Sequence, residues 1–397
     1  MTVTTFLVYL LCAAAALLLV PATVLFIEVL ASAIAPAGAS QIKGERPRVA
    51  VLMPAHNEAS IIAASLRSVL PQLAGSDRLI VIADNCSDET STIAKSEGAE
   101  VIVRTDPTRR GKGFALDFGV RHLEQDPPQV VIVIDADCEV TAGSIDKLAR
   151  LGASSGRPVQ SMYLMHTAAG AGVKMRIAEF AFLVKNNVRP AGLHRLRLPC
   201  QLMGTGMAFP WPCIRTAQLA TGHIVEDLKL GIELARAGDP PLFCPEALVS
   251  SRFASDPEGS QSQRTRWEHG HMSVILSDAP RLLLDSLLKI DLRLAAMALD
   301  LSVPPLALLT LLNAAMWIAS AILFGATRIL LPLAITSVSL GLLGASVVLA
   351  WARYGRHIVS LVDLGFAMRY ALLKIPLYAK FVVARQLDWV RSKRDDE

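Results

Sequence analysis

VVIVIDADCEV, residues 130–140, decides how this chain folds. Its first five residues are apolar and β-branched, the composition of a strand buried on both faces. The run stops at Asp135 and Asp137, one residue apart. In an open α/β sheet ligands collect outside the carboxyl ends of strands. Two carboxylates there suit a hard divalent cation held against a diphosphate. The same acids would also suit the start of a following helix, and both readings stand until the rest of the chain is considered.

Working outward, the pattern repeats. RVAVLMPAHNEASIIAASLRSVL (48–70) reads as strand, turn and amphipathic helix, and LIVIADNCSDET (79–90) as a strand ending at Asp84. Residues 101–104 form a third strand, followed by TDPTRRGKGFALDFGV (105–120). Strands alternating with helices predict a Rossmann-like α/β fold with a mostly parallel, doubly wound sheet. Its nucleotide-binding half spans 47–150. Residues 151–275 are less regular: GTGMAFPW (204–211) predicts a tight glycine turn entering a strand, and HIVEDLKLGIELARAGDP (223–240) a helix over about 227–237. Gly238 suits its C-terminal cap, with Pro240 just beyond.

Of 397 residues, 52% are hydrophobic, and the mean hydropathy of +0.43 exceeds that of an ordinary soluble protein. The excess lies in residues 6–35 and 292–351. The net charge is only +4, with basic residues beside the apolar stretches, which points to a membrane surface rather than nucleic acid. Six cysteines in no CxxC or metal-finger spacing indicate a reducing cytosol.

Residues 6–30 are long enough to cross about 30 Å of hydrocarbon. A cleaved signal peptide is the alternative, since Ala31-Ser32-Ala33 resembles a cleavage site. Against it, the first basic residue is Lys43, and the apolar run exceeds the usual ~7–15 residues. Lys43, Arg46 and Arg48 put the chain from residue 43 onward on the cytoplasmic side. Residues 301–324 and 329–351 form a candidate membrane hairpin, with Pro304 and Pro305 kinking or shortening its first helix. Arg353, Arg356 and His357 return the chain to the basic side. The tail, 358–383, mixes apolar residues with Asp363, Arg369, Lys374 and Lys380 and reads as interfacial amphipathic helices, or as a fourth span. The expected organisation is an N-terminal transmembrane helix (1–40), a cytosolic α/β domain (41–275), and interfacial helices with a hairpin and tail (276–397).

Several constellations carry chemistry, each with a plain structural reading beside it. PAHNE (54–58) offers a turn for a base or ribose, and Asp84 with Asn85, Ser87 and Asp88 does the same after the second strand; both also read as polar turns and caps. Lys112, glycine-flanked and near Arg109 and Arg110, suits a phosphate or a solvated loop, without the Walker spacing. Glu226-Asp227 opens a helix, where acids stabilise the dipole by ~0.3–1 kcal/mol; the functional reading makes Asp227 a general base. QRTRW (263–267) sets Gln263 and Trp267 on one helix face. It reads as an interfacial anchor, or as a platform for a sugar on Trp267 with Arg266 pairing a leaving diphosphate. His269 and His271 have no spaced partners for a metal site.

The order of these motifs resembles the family 2 glycosyltransferases of the processive, membrane-embedded kind, the group of cellulose, hyaluronan, chitin and poly-N-acetylglucosamine synthases. Its signature is an Asp after the second strand, a DxD, an ED pair and QxxRW. Here these are Asp84, Asp135-Ala136-Asp137, Glu226-Asp227 and QRTRW, within residues 47–270. The resemblance implies a GT-A fold beside an α-helical transmembrane region, a nucleotide-diphosphate sugar donor (most often UDP), Mg²⁺ or Mn²⁺, and inversion at the anomeric carbon. It puts Pro54, Ala55, Glu58, Asp84, Lys112, Asp135 and Arg266 on the donor, and Asp137 with Asp135 on the metal. Asp227 is then the base, with Gln263, Trp267 and Glu226 on the acceptor side. It further implies a multi-pass protein of a bacterial-type inner membrane, a saccharide or lipid-linked acceptor, and room for a homo-oligomer or polysaccharide export partners.

The chain departs from the group in its small membrane part and in GTGMAFPW, which lacks the cysteine of cellulose synthase. Single addition to a lipid-linked acceptor is therefore the alternative to processive synthesis. A transporter would need ionisable residues inside the spans, and the hairpin holds only Arg328, between them. A non-catalytic nucleotide-sugar-binding protein would tolerate loss of Asp137 or Asp227, and both are present.

Overall fold

The computed structural model describes residues 3–34, 44–253 and 257–385. Lys43, which contributes to the topology reading, lies outside them. The chain forms two compact units. One combines Met1–Pro36, Gly170–Leu196 and Ile275–Arg385, and the other is built on Ala37–Ala169 and Arg197–Val274.

The second unit holds one eight-stranded sheet. Its strands are β1 (Val49–Ala55), β2 (Arg78–Asp84), β3 (Glu100–Arg104), β4 (Val130–Val133), β5 (Glu139–Val140), β6 (Val159–His166), β7 (Met207–Pro210) and β8 (Leu242–Arg252). Their spatial order is β3-β2-β1-β4-β7-β6-β8-β5. The pairs β2–β3, β1–β2, β1–β4 and β6–β8 are parallel, whereas β7 runs against β4 and β6, and β5 against β8. The mostly parallel α/β sheet expected from the alternation of strands and helices is the one observed.

Parallel strands need crossover connections, and the helix Lys112–Leu123 lies on the one that leads from β3 back to β4. Ala115, Leu116, Val120 and Leu123 recur at helical spacing and bury against Leu52 and Ile82. From β1 the chain winds outward to β2 and β3, then returns to β4 on the opposite side of β1. The carboxyl ends of β1 and β4 therefore flank a topological switch point, the place where open sheets bind ligands. PAHNE and Asp135-Ala136-Asp137 leave the sheet there.

The opening stretch departs in detail from the sequence reading. Strand pairing in the opening stretch stops at Val133, although Ile134 stays buried and its amide donates to the Leu52 carbonyl at 3.1 Å. Glu139 and Val140 then form a separate strand at the far end of the sheet. Arg46 and Arg48, read as flanking charges, are committed to ion pairs: Arg46 reaches Asp77 at 2.6 Å and Arg48 pairs with Asp126.

The first unit contains, among the described residues, three helices long and apolar enough to cross a membrane: Thr5–Ala33, Leu306–Thr327 and Leu331–Gly355. Tyr9, Leu17, Ile322 and Val348 are exposed on them, as lipid-facing side chains would be. Pro304 and Pro305 shorten the second span, which starts at Leu306. Residues before them form a separate helix, Leu292–Leu301, whose start is capped by the Asp291 carboxylate accepting from the amides of Arg293 and Leu294. Arg328 turns the hairpin in a left-handed conformation (φ 62°), and the Asn313 and Ser339 side chains bond across it at 2.5 Å. The tail folds as three short helices, Leu361–Gly365, Ala367–Leu372 and Ile375–Val383.

This unit also takes in Gly170–Leu196, which the sequence reading assigned to the soluble region. A buried ion cluster holds it. Arg189 donates to Glu28 at 2.7 Å and to Asp300 at 2.6 Å, and all three are buried. Gly192 completes the packing: a Cβ there would lie 2.0 Å from the Glu28 carbonyl oxygen.

Candidate active site

The loops after β1 and β2 are bonded to each other. Asn57 and Asn85 adopt left-handed φ values of 54° and 51°, which asparagine tolerates. His56 Nδ1 lies 2.7 Å from the Asp84 carbonyl. The Glu58 amide donates to Thr90 Oγ1 at 2.8 Å, and the Ala59 amide to Asp88 Oδ2 at 3.1 Å. Pro54, Ala55 and Glu58 are thus held on the same rim as Asp84. Asp84 is itself buried and accepts from Arg104 Nη1 at 2.6 Å. Arg104 also reaches Asp106 and lies over the Phe114 ring. The sequence reading passed over Arg104; its position closing β3, just before Asp106, was the available signal.

After β4, ligand atoms of Asp135, Asp137 and Cys138 lie within 4.8 Å of one another, the one such group among the described residues. The Asp135 amide donates to Thr205 Oγ1 at 3.0 Å. Its carboxylate is paired with the Lys112 ammonium, which also donates to the Gly204 carbonyl at 2.6 Å. Gly204 in turn faces the base candidate: a Cβ on it would lie 3.3 Å from Asp227 Oδ2 and 3.8 Å from Lys112 Nζ. Lys112 therefore sits between Asp135 and the Glu226-Asp227 pair.

The titrations reflect this crowding. Burial pushes the Asp135 carboxyl up, Lys112 opposes it and Asp137 adds to it, for a net rise. Burial and the adjacent Asp227 charge push Glu226 up to about 7 against the pull of Lys112. Burial alone would lower the Lys112 ammonium, but the surrounding carboxylates, Asp135 first, raise it overall, so it stays charged.

The glycine turn that joins these groups is fixed from below by Gln160, a polar residue in the apolar strand β6. Gln160 is fully buried, donates to the Thr205 carbonyl at 2.9 Å and accepts from the Met203 amide at 2.8 Å. Sequence reading missed it, although a lone glutamine in such a strand must find partners. Gly206 follows in a left-handed conformation (φ 65°), and a Cβ there would lie 1.8 Å from Ser161 Oγ. Gly206→Ala is expected to cost about 2–4 kcal/mol, combining backbone strain with overpacking. Thermal melting of the detergent-solubilised protein measures it. Adding Ser161→Ala should restore only part of the loss, because the backbone strain remains.

QRTRW lies on the helix Pro257–Ser277. Gln263, Arg266 and Trp267 are half-buried there, and Gln263 Oε1 is buried with no hydrogen-bond partner among the described residues. One turn later the helix meets the segment leading into the acid pair: a Cβ on Gly270 would lie 2.5 Å from Val225 Cγ1. Packing thus brings the QRTRW helix beside residue 225, immediately before Glu226 and Asp227. Metal-ligand groups among the described residues do not include His269 or His271.

Residues 47–270 match the family model described as glycosyltransferase-like family 2. An uncharacterized glycosyltransferase of Mycobacterium bovis is 38% identical over 100 residues, which cover 25% of this chain and 41% of that protein. The probable glycosyltransferase YdaM of Bacillus subtilis is 29% identical over 246 residues, covering 58% of this chain and 57% of that protein. The chain thus spans about two fifths to three fifths of the length of these curated relatives. Among solved structures, a mannosyltransferase from Pyrobaculum calidifontis in complex with GDP-Man and Mn²⁺ superposes with a TM-score of 0.56. The identity is 14%, with 95% of this chain and all of that chain covered, so the likeness is one of GT-A fold.

Proposed function

The chain belongs to the glycosyltransferase-like family 2, and on that premise we propose that it moves a sugar from a nucleotide-diphosphate sugar, of the UDP class, to a saccharide or lipid-linked acceptor. The reaction would take place at the cytoplasmic face of the inner membrane, in exopolysaccharide or cell-envelope polysaccharide synthesis. The observation that supports this reading is that Asp135 and Asp227 meet around the Lys112 ammonium and the Gly204 turn that it bonds. Asp227 as base and Asp135 on the donor side would then act within one small cluster.

In this reading Asp84 binds the nucleoside, with Pro54, Ala55 and Glu58 lining the same rim. Asp137 and Asp135 would hold Mg²⁺ or Mn²⁺, and two carboxylates are the hard oxygen donors such ions take. The cation, when bound, neutralises charge on the diphosphate. The Pyrobaculum structure, which holds GDP-Man and Mn²⁺, is consistent with a nucleotide-diphosphate sugar and a divalent metal, and the UDP class rests on the family resemblance. Arg266 would pair with the leaving diphosphate. Asp227 takes the proton from the acceptor hydroxyl, and a single in-line displacement with one base inverts the anomeric carbon. Trp267, Gln263 and Glu226 line the acceptor side.

Single addition to a lipid-linked acceptor is the second reading. It is favoured by the small number of candidate spans among the described residues, three, which offers few helices to line a polymer channel. Nucleoside-diphosphate release by the purified protein, measured over a panel of UDP- and GDP-sugars with Mg²⁺, Mn²⁺ or EDTA, tests the proposal. Metal-dependent turnover of one donor is expected. Product size then separates a polymer from a single added sugar. No turnover on any donor, with membrane lipids supplied as acceptors, would overturn the transfer reading.

A further inference from the structure

We infer that Lys112 is a built-in counter-cation for Asp135 that competes with the divalent metal, so that metal and donor diphosphate bind together by displacing it. The inference rests on the proposal that Asp137 and Asp135 hold the metal. A glycine-flanked lysine suggests a phosphate ligand, yet here the amine already has protein partners. Its side chain is 18% exposed, paired with Asp135 and bonded to the Gly204 carbonyl at 2.6 Å. An ammonium has three donor hydrogens, and this one faces Asp135 on one side and the Gly204 turn, with Asp227 behind it, on the other.

The competition arises from charge. A divalent ion held by Asp137 and Asp135 shares a carboxylate with Lys112, which brings two cations within a few ångströms. At such distances like charges repel strongly in a half-buried site. The protein alone should therefore bind the metal weakly. A diphosphate changes the balance, because its oxygens add ligands for the metal and offer the ammonium a new anionic partner. As Lys112 leaves Asp135 it can keep its bond to Gly204, whose Cα side faces the Asp227 carboxylate.

The test is Mn²⁺ binding to the full chain in nanodiscs, followed by the electron paramagnetic resonance signal of free Mn²⁺, with and without UDP. Lys112→Met and Lys112→Gln remove the charge. Both should bind Mn²⁺ at least about tenfold more tightly than the parent without UDP, roughly 1.4 kcal/mol, and gain less when UDP is added. Lys112→Arg should behave like the parent. Unchanged or weaker Mn²⁺ binding in both neutral variants, with binding still abolished by Asp137→Ala, would overturn the inference and leave the metal site standing. Mn²⁺ binding that survives Asp137→Ala would overturn the metal reading, and this inference with it.

Discussion

Asp227→Asn is expected to lower sugar transfer by about 10²–10⁴-fold, the range that a positioned general base contributes, while donor affinity stays within a few-fold of the parent. Asparagine preserves the shape of the side chain against Gly204, where the carboxylate lies 3.3 Å from the position of an added Cβ. What it removes is the ability to accept a proton. The loss should therefore fall on kcat, not on donor binding, when nucleoside-diphosphate release and UDP affinity are measured side by side. Turnover within about threefold of the parent, far short of a base's contribution, would mean that another group takes the proton. Glu226, whose carboxyl is raised to about 7 by burial and by Asp227, is the neighbour to test next.

Arg189→Met should cost the first unit about 3–5 kcal/mol, as breaking a buried ion pair from one side generally does. The guanidinium serves two carboxylates, Glu28 and Asp300, and its loss leaves both buried without their cation. A substantial fall in melting temperature of the solubilised protein is expected. Adding Glu28→Gln and Asp300→Asn to the same variant should recover much of the loss, because the penalty is uncompensated charge. If the triple variant melts no higher than Arg189→Met alone, the destabilisation comes from lost packing around the arginine, and the ion cluster is not what clasps this unit.

The parts of the site legible in sequence are those where a carboxylate ends its own strand or begins its own helix. Asp84, Asp135, Asp137 and the pair Glu226-Asp227 are of this kind, since local hydrophobic periodicity places each at an element end. Gly238 and Pro240 marked the end of the helix Glu226–Ala237 for the same local reason. Lys112 was legible as a candidate but not in its partners: the carbonyl that it holds is 92 residues away in sequence. Arg104 and Gln160 were missed because each is defined by what it bonds across the sheet or beneath a turn. No periodicity reports such contacts.

The alternation of strands and helices, the three long apolar segments and the order of the acidic motifs are all legible in the amino-acid order. All of these are written in contiguous runs whose spacing matches a backbone repeat. The tertiary structure alone decided that Gly170–Leu196 packs with the apolar helices, through Arg189 between Glu28 and Asp300. It alone decided, too, that Lys112 spans from Asp135 to the Gly204 turn beside Asp227. The physical reason is the same in both cases. A charge taken out of water must find a partner of opposite sign or a hydrogen-bond acceptor. Which distant residue becomes that partner depends on the packing that removed the water.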